Sequence, residues 1–242
     1  MNKIGLDISK VSTAMSIEVA GVEYLFSYNT LKITQQWNKI LTEIDNVFIR
    51  TYNYDNTIED YSISEIDKLK VFIEVANDVI KDILSVIDIS KETTIYIEGY
   101  SYGRTVNGPL LDLVGIGATI RSKLYEHIPK IKKMHIIAPK SLKLSTAELV
   151  YGAEIVDIGK RKPKIVKIIN TNKNDLKGGD FKKIDMYYAI LDLNKEHLLY
   201  NLFSEKHDKI ISTKTFPKPI EDLNDAYLLK ELIGFSPLKI NI

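Results

Sequence analysis

The chain contains 242 residues, of which 45% are apolar and 27% charged, and these values are typical of globular rather than disordered proteins. Cysteine is absent, which excludes disulfides, thiolate catalysis and cysteine-bound zinc. No apolar run approaches the ~20 residues that span a bilayer, and the first residues have no leader pattern. We therefore expect a cytoplasmic protein without a membrane partner.

The net charge of +1 is divided unevenly along the chain. Residues 128–183 contain 14 Lys and Arg but only 5 Asp and Glu, a net charge of +9, so the rest of the chain carries −8. A basic middle segment on an acidic frame favours a protein that binds phosphates locally and holds metal ions elsewhere. A solvated, lysine-rich surface would explain the same distribution.

The N-terminal part of the chain predicts short strands followed by a helical region. The strands are predicted at residues 3–6, 14–19 and 23–28, with Gly21 in the second turn. Apolar residues from Trp37 to Phe48 recur with a helical period, and residues 52–61 have the composition of a loop.

A long helix and a buried strand are predicted next. Ser64 and Asp67 form a capping signal, and the apolar period then predicts an amphipathic helix over residues 66–84. Residues 93–97 are β-branched and aromatic, which indicates a buried strand that ends at Glu98.

The C-terminal half alternates between well-patterned and loosely patterned segments. A helix follows Pro109, and a strand at residues 134–138 stops at Pro139. The pattern then loosens up to residue 177, which is typical of either a basic β-hairpin or an inserted subdomain. The remaining helices are predicted at residues 181–193, 195–203 and 221–233, the last after a loop stiffened by Pro217 and Pro219. This order favours a mixed α/β sheet with helices on both faces.

Four acidic residues lie where predicted elements begin or end: Asp7, Glu98, Asp222 and Asp225. Asp222 and Asp225 are spaced i, i+3, which places both carboxylates on one helix face. Carboxylate oxygens are the ligands that Mg²⁺ prefers, and carboxylates from three elements can hold two ions ~3.5–4 Å apart for phosphodiester attack. Taken singly, such residues are more often turn, solvated or capping residues.

Five segments, in order, resemble the RuvC-type Holliday junction resolvases of the RNase H-like superfamily. They are IGLDIS with Asp7, IEGY with Glu98, APKSLK with Lys143, KGGDFKKIDM with Lys183, and DLNDA with Asp222 and Asp225. The resemblance implies an α/β fold, with an RNase H-like mixed five-stranded sheet of three antiparallel strands and then parallel strands, flanked by helices. It also implies one domain over residues 1–242, with insertions at about 30–61 and 144–177.

The same resemblance implies a function and a set of site residues. The expected enzyme is an Mg²⁺-dependent endonuclease, with Mn²⁺ as a substitute, that resolves four-way DNA junctions as a homodimer and needs no nucleotide cofactor. Asp7, Glu98, Asp222 and Asp225 would hold two ions, and Lys183 would assist catalysis. The basic segments add Lys140, Lys143 and Lys182 as expected DNA contacts, with ordinary surface lysines as the alternative.

The loop after Glu98 adds further candidate DNA contacts. Tyr100 and Tyr102 are suited to stacking on bases splayed open at a junction, and Arg104 is suited to a phosphate contact. Tyrosines at such positions also serve as packing lids.

Three other classes of protein share part of this pattern. Actin-like kinases share the opening strand–Asp–turn–strand pattern, but the second phosphate loop and adenosine motif that they need are not found in the sequence. A non-catalytic branched-DNA-binding module could keep the fold without the chemistry. A related metal nuclease that acts on flaps or other branched DNA would carry the same acids.

Overall fold

The computed structural model of the chain describes residues 1–30, 35–53, 55, 57–100, 108–156, 165–169, 180–193, 196–212 and 216–236. Its strands are β1 Asn2–Asp7, β2 Ser12–Val19, β3 Val22–Asn29, β4 Val47–Thr51, β5 Thr93–Glu98, β6 Ile131–Ile137, β7 Ala153–Val156 and β8 Ile165–Ile168. Its helices are α1 Gln35–Thr42, α2 Tyr61–Val86, α3 Gly108–His127, α4 Pro139–Tyr151, α5 Lys183–Leu193, α6 Leu198–Glu205, α7 His207–Ile211 and α8 Ile220–Glu231.

The main sheet has the strand order β4-β3-β2-β1-β5-β6. Strands β1, β2 and β3 are antiparallel neighbours, whereas β5 and β6 run parallel to β1. The predicted arrangement of antiparallel followed by parallel strands is therefore confirmed. A sixth strand, β4, pairs parallel with β3 and extends the predicted sheet at that edge. Strands β7 and β8 form a separate antiparallel pair, as in the hairpin alternative for this region.

The β2–β3 turn follows directly from the local sequence. Val19 pairs with Val22, so the loop contains only Ala20 and Gly21, and both residues have positive φ, 53° and 82°. Two consecutive residues in this conformation form the turn that matches the twist of a hairpin, and glycine adopts it without strain.

Three local predictions were wrong. Phe48 lies on β4 rather than on a helix, because its ring stacks on Phe26 of the neighbouring strand at 4.9 Å and the run around it pairs with β3. Helix α2 begins earlier than predicted, since the Asp60 carboxylate caps it by accepting from the Ile63 amide. Pro139 begins helix α4 instead of opening a loose segment, in keeping with proline's fit to a first helical turn.

The helices cover the two faces of the sheet with two separate apolar cores. Helices α2 and α3 bury residues such as Val75 and Ile120 against one face. On the other face, α8 lies at the centre, with Leu223 and Leu229 fully buried, and α4, α5 and α6 pack around it. No described helix is long and apolar enough to cross a membrane.

A partly buried polar network links β4 to helix α2. The Arg50 guanidinium donates to both carboxylate oxygens of Asp82, and the Tyr28 hydroxyl donates to the same carboxylate over 2.9 Å. Next to this pair, Tyr52 donates to Asp78 over 2.7 Å. These contacts explain how a short edge strand stays attached to the sheet.

Candidate metal centre

Parallel pairing brings Asp7 and Glu98 to the same edge of the sheet. Leu6 of β1 lies opposite Ile97 of β5, and both strands end one residue later in an acidic residue. Asp7 is buried, with 4% of its surface exposed, and its carboxylate is close to that of Glu98.

Helix α8 adds the remaining carboxylates from above the sheet. Gly5 of β1 has no side chain, and the backbone of α8 at Ala226 occupies the space that a Cβ there would need. This close approach brings Asp225 to the ends of β1 and β5. One oxygen from each of Asp7, Glu98 and Asp225 lies within 4.8 Å of the other two.

Asp222 lies one turn earlier on α8 and faces the same cleft, but it is outside the three-carboxylate cluster. The cleft has a volume of about 280 Å³ and is lined by all four predicted acidic ligands. Asp222 is buried, and its Oδ2 atom makes no hydrogen bond of full geometry with the described residues, although the Ser12 hydroxyl is close enough to act on the carboxylate. A buried carboxylate oxygen with so little compensation is costly, so it is suited to a ligand that the protein itself does not supply.

Burial and repulsion from neighbouring carboxylates make Asp7 and Asp225 hard to ionise. Burial, followed by the charges of Glu98 and Asp222, raises the pKa of Asp7 well above its usual range. Burial also raises the pKa of Asp225 to about 7, together with the charges of Glu98 and Asp222 and against the opposing effect of Lys183. A divalent cation would remove this repulsion, and an all-oxygen donor set fits a hard ion such as Mg²⁺.

Two lysines neutralise the outer side of the cleft. Lys183, the first residue of α5, donates to Asp225 Oδ2 over 3.3 Å and pairs closely with Glu221. Lys218 pairs closely with Asp222 Oδ1 and lies 3.4 Å from the same Glu221. Burial opposes the charged form of Lys183, but the carboxylates of Asp225 and Glu221 raise its pKa above the usual range.

Lys183 was a candidate from the sequence, whereas Lys218 and Glu221 enter the cleft only in the structure. A glutamate in the first turn of a helix is ordinarily a solvated charge that suits the helix dipole, whereas only 14% of the Glu221 side chain is exposed and it contacts both lysines. The i, i+4 spacing of Lys218 and Asp222 was a signal in the sequence that could have predicted their ion pair.

Only some of the residues expected to contact DNA lie at or beside the cleft. Lys143 lines the cleft, Lys140 is exposed on α4, and Lys182 is exposed directly before α5. Tyr100 packs across α3, where the Arg121 guanidinium lies 4.9 Å from its ring and contacts its hydroxyl. Its role as a base-stacking residue stays a prediction. Tyr102 and Arg104 lie outside the described residues.

Cavity size alone does not identify this site. A larger cavity of about 490 Å³ at the opposite end of the sheet is also lined by carboxylates, including Glu18, Glu23 and Glu231. These surround the buried ammonium of Lys230, which lies 2.5 Å from Glu23 and 2.8 Å from Glu231. All three carboxylates therefore already share an ammonium group of the protein, since Glu18 also lies 3.7 Å from Lys230.

Comparison with known proteins gave distant structural likenesses. No protein family matches the sequence, and no curated protein is similar to it. Among solved structures, Thermus thermophilus RuvC in complex with Holliday junction substrate is similar, with a TM-score of 0.44 and 8% identity over 97% of this chain and 94% of that one. A second Thermus thermophilus RuvC structure gives 0.43 and 10% over 97% and 95%. Likenesses of this size do not establish a family.

Proposed function

We propose that this protein is a Mg²⁺-dependent, structure-selective DNA endonuclease that resolves four-way junctions by paired symmetrical nicks. The observation that supports this most strongly is the convergence of carboxylates from β1, β5 and α8 in one cleft, flanked by two lysines. All-oxygen sites of this kind suit the metal-assisted hydrolysis of phosphodiesters.

Each acidic residue has a distinct place in the proposed site. Asp7, Glu98 and Asp225 would hold the metal ions at the ends of β1, β5 and α8, with Asp222 as a further ligand from the same cleft. When bound, the ions would supply an activated water and stabilise the leaving oxygen. Mn²⁺ should substitute for Mg²⁺, since both accept carboxylate oxygens.

The lysines would act on the substrate. Lys183 would neutralise the scissile phosphate or orient the water, because its ammonium already reaches Asp225 at 3.3 Å. Lys143 in the cleft and the exposed Lys140 and Lys182 would contact the backbone on either side.

A four-way junction has two strands to cut symmetrically, so a two-fold homodimer is the proposed assembly. Helices α2 and α3 present large apolar side chains on their outer faces, with exposed fractions between 39% and 61%: Ile63, Ile66, Leu69, Ile73, Leu111 and Val114. Such side chains favour an interface, and a second copy of the chain would bring two clefts to the two strands. The proposed substrate symmetry is the reason to choose a second copy over another partner.

The deciding experiment compares a labelled four-way junction, a matched linear duplex and a flap, each with Mg²⁺, Mn²⁺ or EDTA. Symmetrical paired nicks in the junction alone, lost in EDTA and in Asp7→Asn, would support the proposal. Equal cutting of flaps or duplex would keep the metal nuclease but remove junction selectivity. Binding without cutting in any metal would instead favour a non-catalytic module.

A further inference from the structure

One carboxylate oxygen in the cleft is shared by two ammonium groups. Oε1 of Glu221 pairs closely with Lys183 Nζ and lies 3.4 Å from Lys218 Nζ. The two lysines come from different parts of the chain, one from the start of α5 and one from the segment just before α8. They converge on a single anionic atom, as two lysines do around an oxygen of a phosphate.

The three side chains lie at the boundary between protein and solvent. About two fifths of each lysine side chain is exposed, 43% for Lys183 and 46% for Lys218, whereas the carboxylates that they contact are largely covered. An incoming polyanion could therefore reach both ammonium groups without rearrangement of the sheet.

The lysines do not depend on Glu221 for their position. Lys183 is also held by Asp225, and Lys218 is also held by Asp222, so each ammonium keeps one anchor at the base of the cleft. Glu221 itself is in the first turn of α8, where the helix dipole favours a negative charge. If displaced from the lysines, it would remain in a favourable electrostatic position.

We infer that Lys183 and Lys218 form a binding subsite for a phosphate of the DNA backbone, and that Glu221 occupies this subsite when DNA is absent. The inference rests on the proposed function in that the ligand is DNA. It adds Lys218 as a substrate-contacting residue and Glu221 as an internal competitor that DNA must displace.

The test measures equilibrium binding of a fluorescent four-way junction to the Asp7→Asn protein in EDTA, over a series of salt concentrations. Adding Glu221→Gln should lower the Kd roughly two- to fivefold, the size of effect expected for a partly exposed ion pair. Adding Lys218→Met should raise the Kd and reduce the slope of log Kd against log salt by about 1, because one phosphate contact is lost. Lys218→Arg should keep the Kd and the salt slope close to those of the Asp7→Asn protein.

Two controls separate competition from a general change in charge. Glu92 and Lys132 form an exposed ion pair at the opposite end of β5, and Glu92→Gln and Lys132→Met repeat the same chemical changes there. They should leave junction affinity nearly unchanged. In a double-mutant cycle, the increase in junction affinity caused by Glu221→Gln should be smaller in the Lys218→Met background, because one of the two lysines that Glu221 blocks is already absent.

An additive cycle, or equal effects of Glu221→Gln and Glu92→Gln, would overturn the inference. This failure would leave cleavage by the wild-type protein, and hence the proposed function, untouched. Conversely, the variants could change the Kd as predicted while the wild-type protein cuts no DNA. That outcome would support the phosphate subsite and contradict the proposed nuclease function. If the Asp7→Asn protein does not bind the junction at all, the inference that Lys183 and Lys218 bind a DNA phosphate is contradicted.

Discussion

The backbone carbonyl oxygen of Ala226 lies 2.1 Å from the position that a Cβ atom on Gly5 would occupy. Helix α8 therefore rests directly on the backbone of β1, without an intervening side chain at this point. Since Asp7 follows Gly5 by two residues and Asp225 precedes Ala226 by one, this contact sets the distance between the carboxylates of the candidate metal centre.

Gly5→Ala should destabilise the protein and separate α8 from β1. The added methyl group would collide with backbone atoms, which cannot rotate away, so we expect a cost at or above the ~1–3 kcal/mol of ordinary overpacking. Chemical denaturation measures stability, and calorimetric titration with Mn²⁺ should show weakened binding. Gly115→Ala on α3 is the matched control, because its Cβ would lie 3.8 Å from Phe72 and clash with nothing. Equal tolerance of both changes would contradict this account of α8.

Asp7→Asn and Glu98→Gln should each reduce cleavage of branched DNA by about 10²-fold or more, since both remove a charged ligand from the proposed reaction centre. Glu43→Gln is the control, because this residue is exposed directly after α1 and does not line the cleft, and it should have no effect. The measurement is initial cleavage rate at saturating Mg²⁺. Intact cleavage in Asp7→Asn and Glu98→Gln would remove the proposed function.

Divalent ions should stabilise the protein more at pH 8 than at pH 6. Burial raises the pKa of Asp225 to about 7, so below that pH a proton competes with the metal for this carboxylate. Without metal the sign is reversed: a raised carboxyl pKa gives stability that is full below its ordinary value of 3.8 and is lost as the pH rises to about 7. Melting temperatures with Mn²⁺ or EDTA across this range test both trends, and a metal-induced shift that is independent of pH would contradict them.

Arg50→Met should destabilise the fold by about 1–3 kcal/mol, because the buried carboxylate of Asp82 loses its bidentate partner. The partial exposure of Arg50 keeps the expected cost below that of a fully buried pair. Urea denaturation gives the value. Lys39→Met, which removes an exposed pair with Glu43, should change stability by no more than ~0.5 kcal/mol. Similar costs for the two variants would show that the Asp82 network contributes little.

Leu69→Asp should convert the proposed dimer into a monomer, because it places a charge on the outer face of α2, where this side chain is 51% exposed. Sedimentation equilibrium measures the mass. Ile136→Asp on β6 is the control, since it is exposed to a similar extent, 50%, on a different surface. A dimer that survives Leu69→Asp but is lost in Ile136→Asp would place the interface at the sheet edge instead.

Much of the candidate site could be predicted because its acids terminate elements with strong local patterns. The β-branched runs before Asp7 and Glu98 indicate buried strands, and parallel pairing then brings the two strand ends together. Strand β4 could not be predicted in the same way. Its apolar residues also fit a helical period, and only the pairing with β3 decides between the two.

The sequence by itself determined the mixed sheet, the oxygen-only donor set and the positions of the four acids, because these depend on residue type and short-range periodicity. Only the tertiary structure decided which carboxylates converge, with Asp222 beside the cluster of Asp7, Glu98 and Asp225 rather than in it. It also decided that Glu221 lies between Lys183 and Lys218. Those contacts depend on how closely α8 and α5 pack on the sheet, and that packing is set by long-range steric fit rather than by the local pattern of the chain.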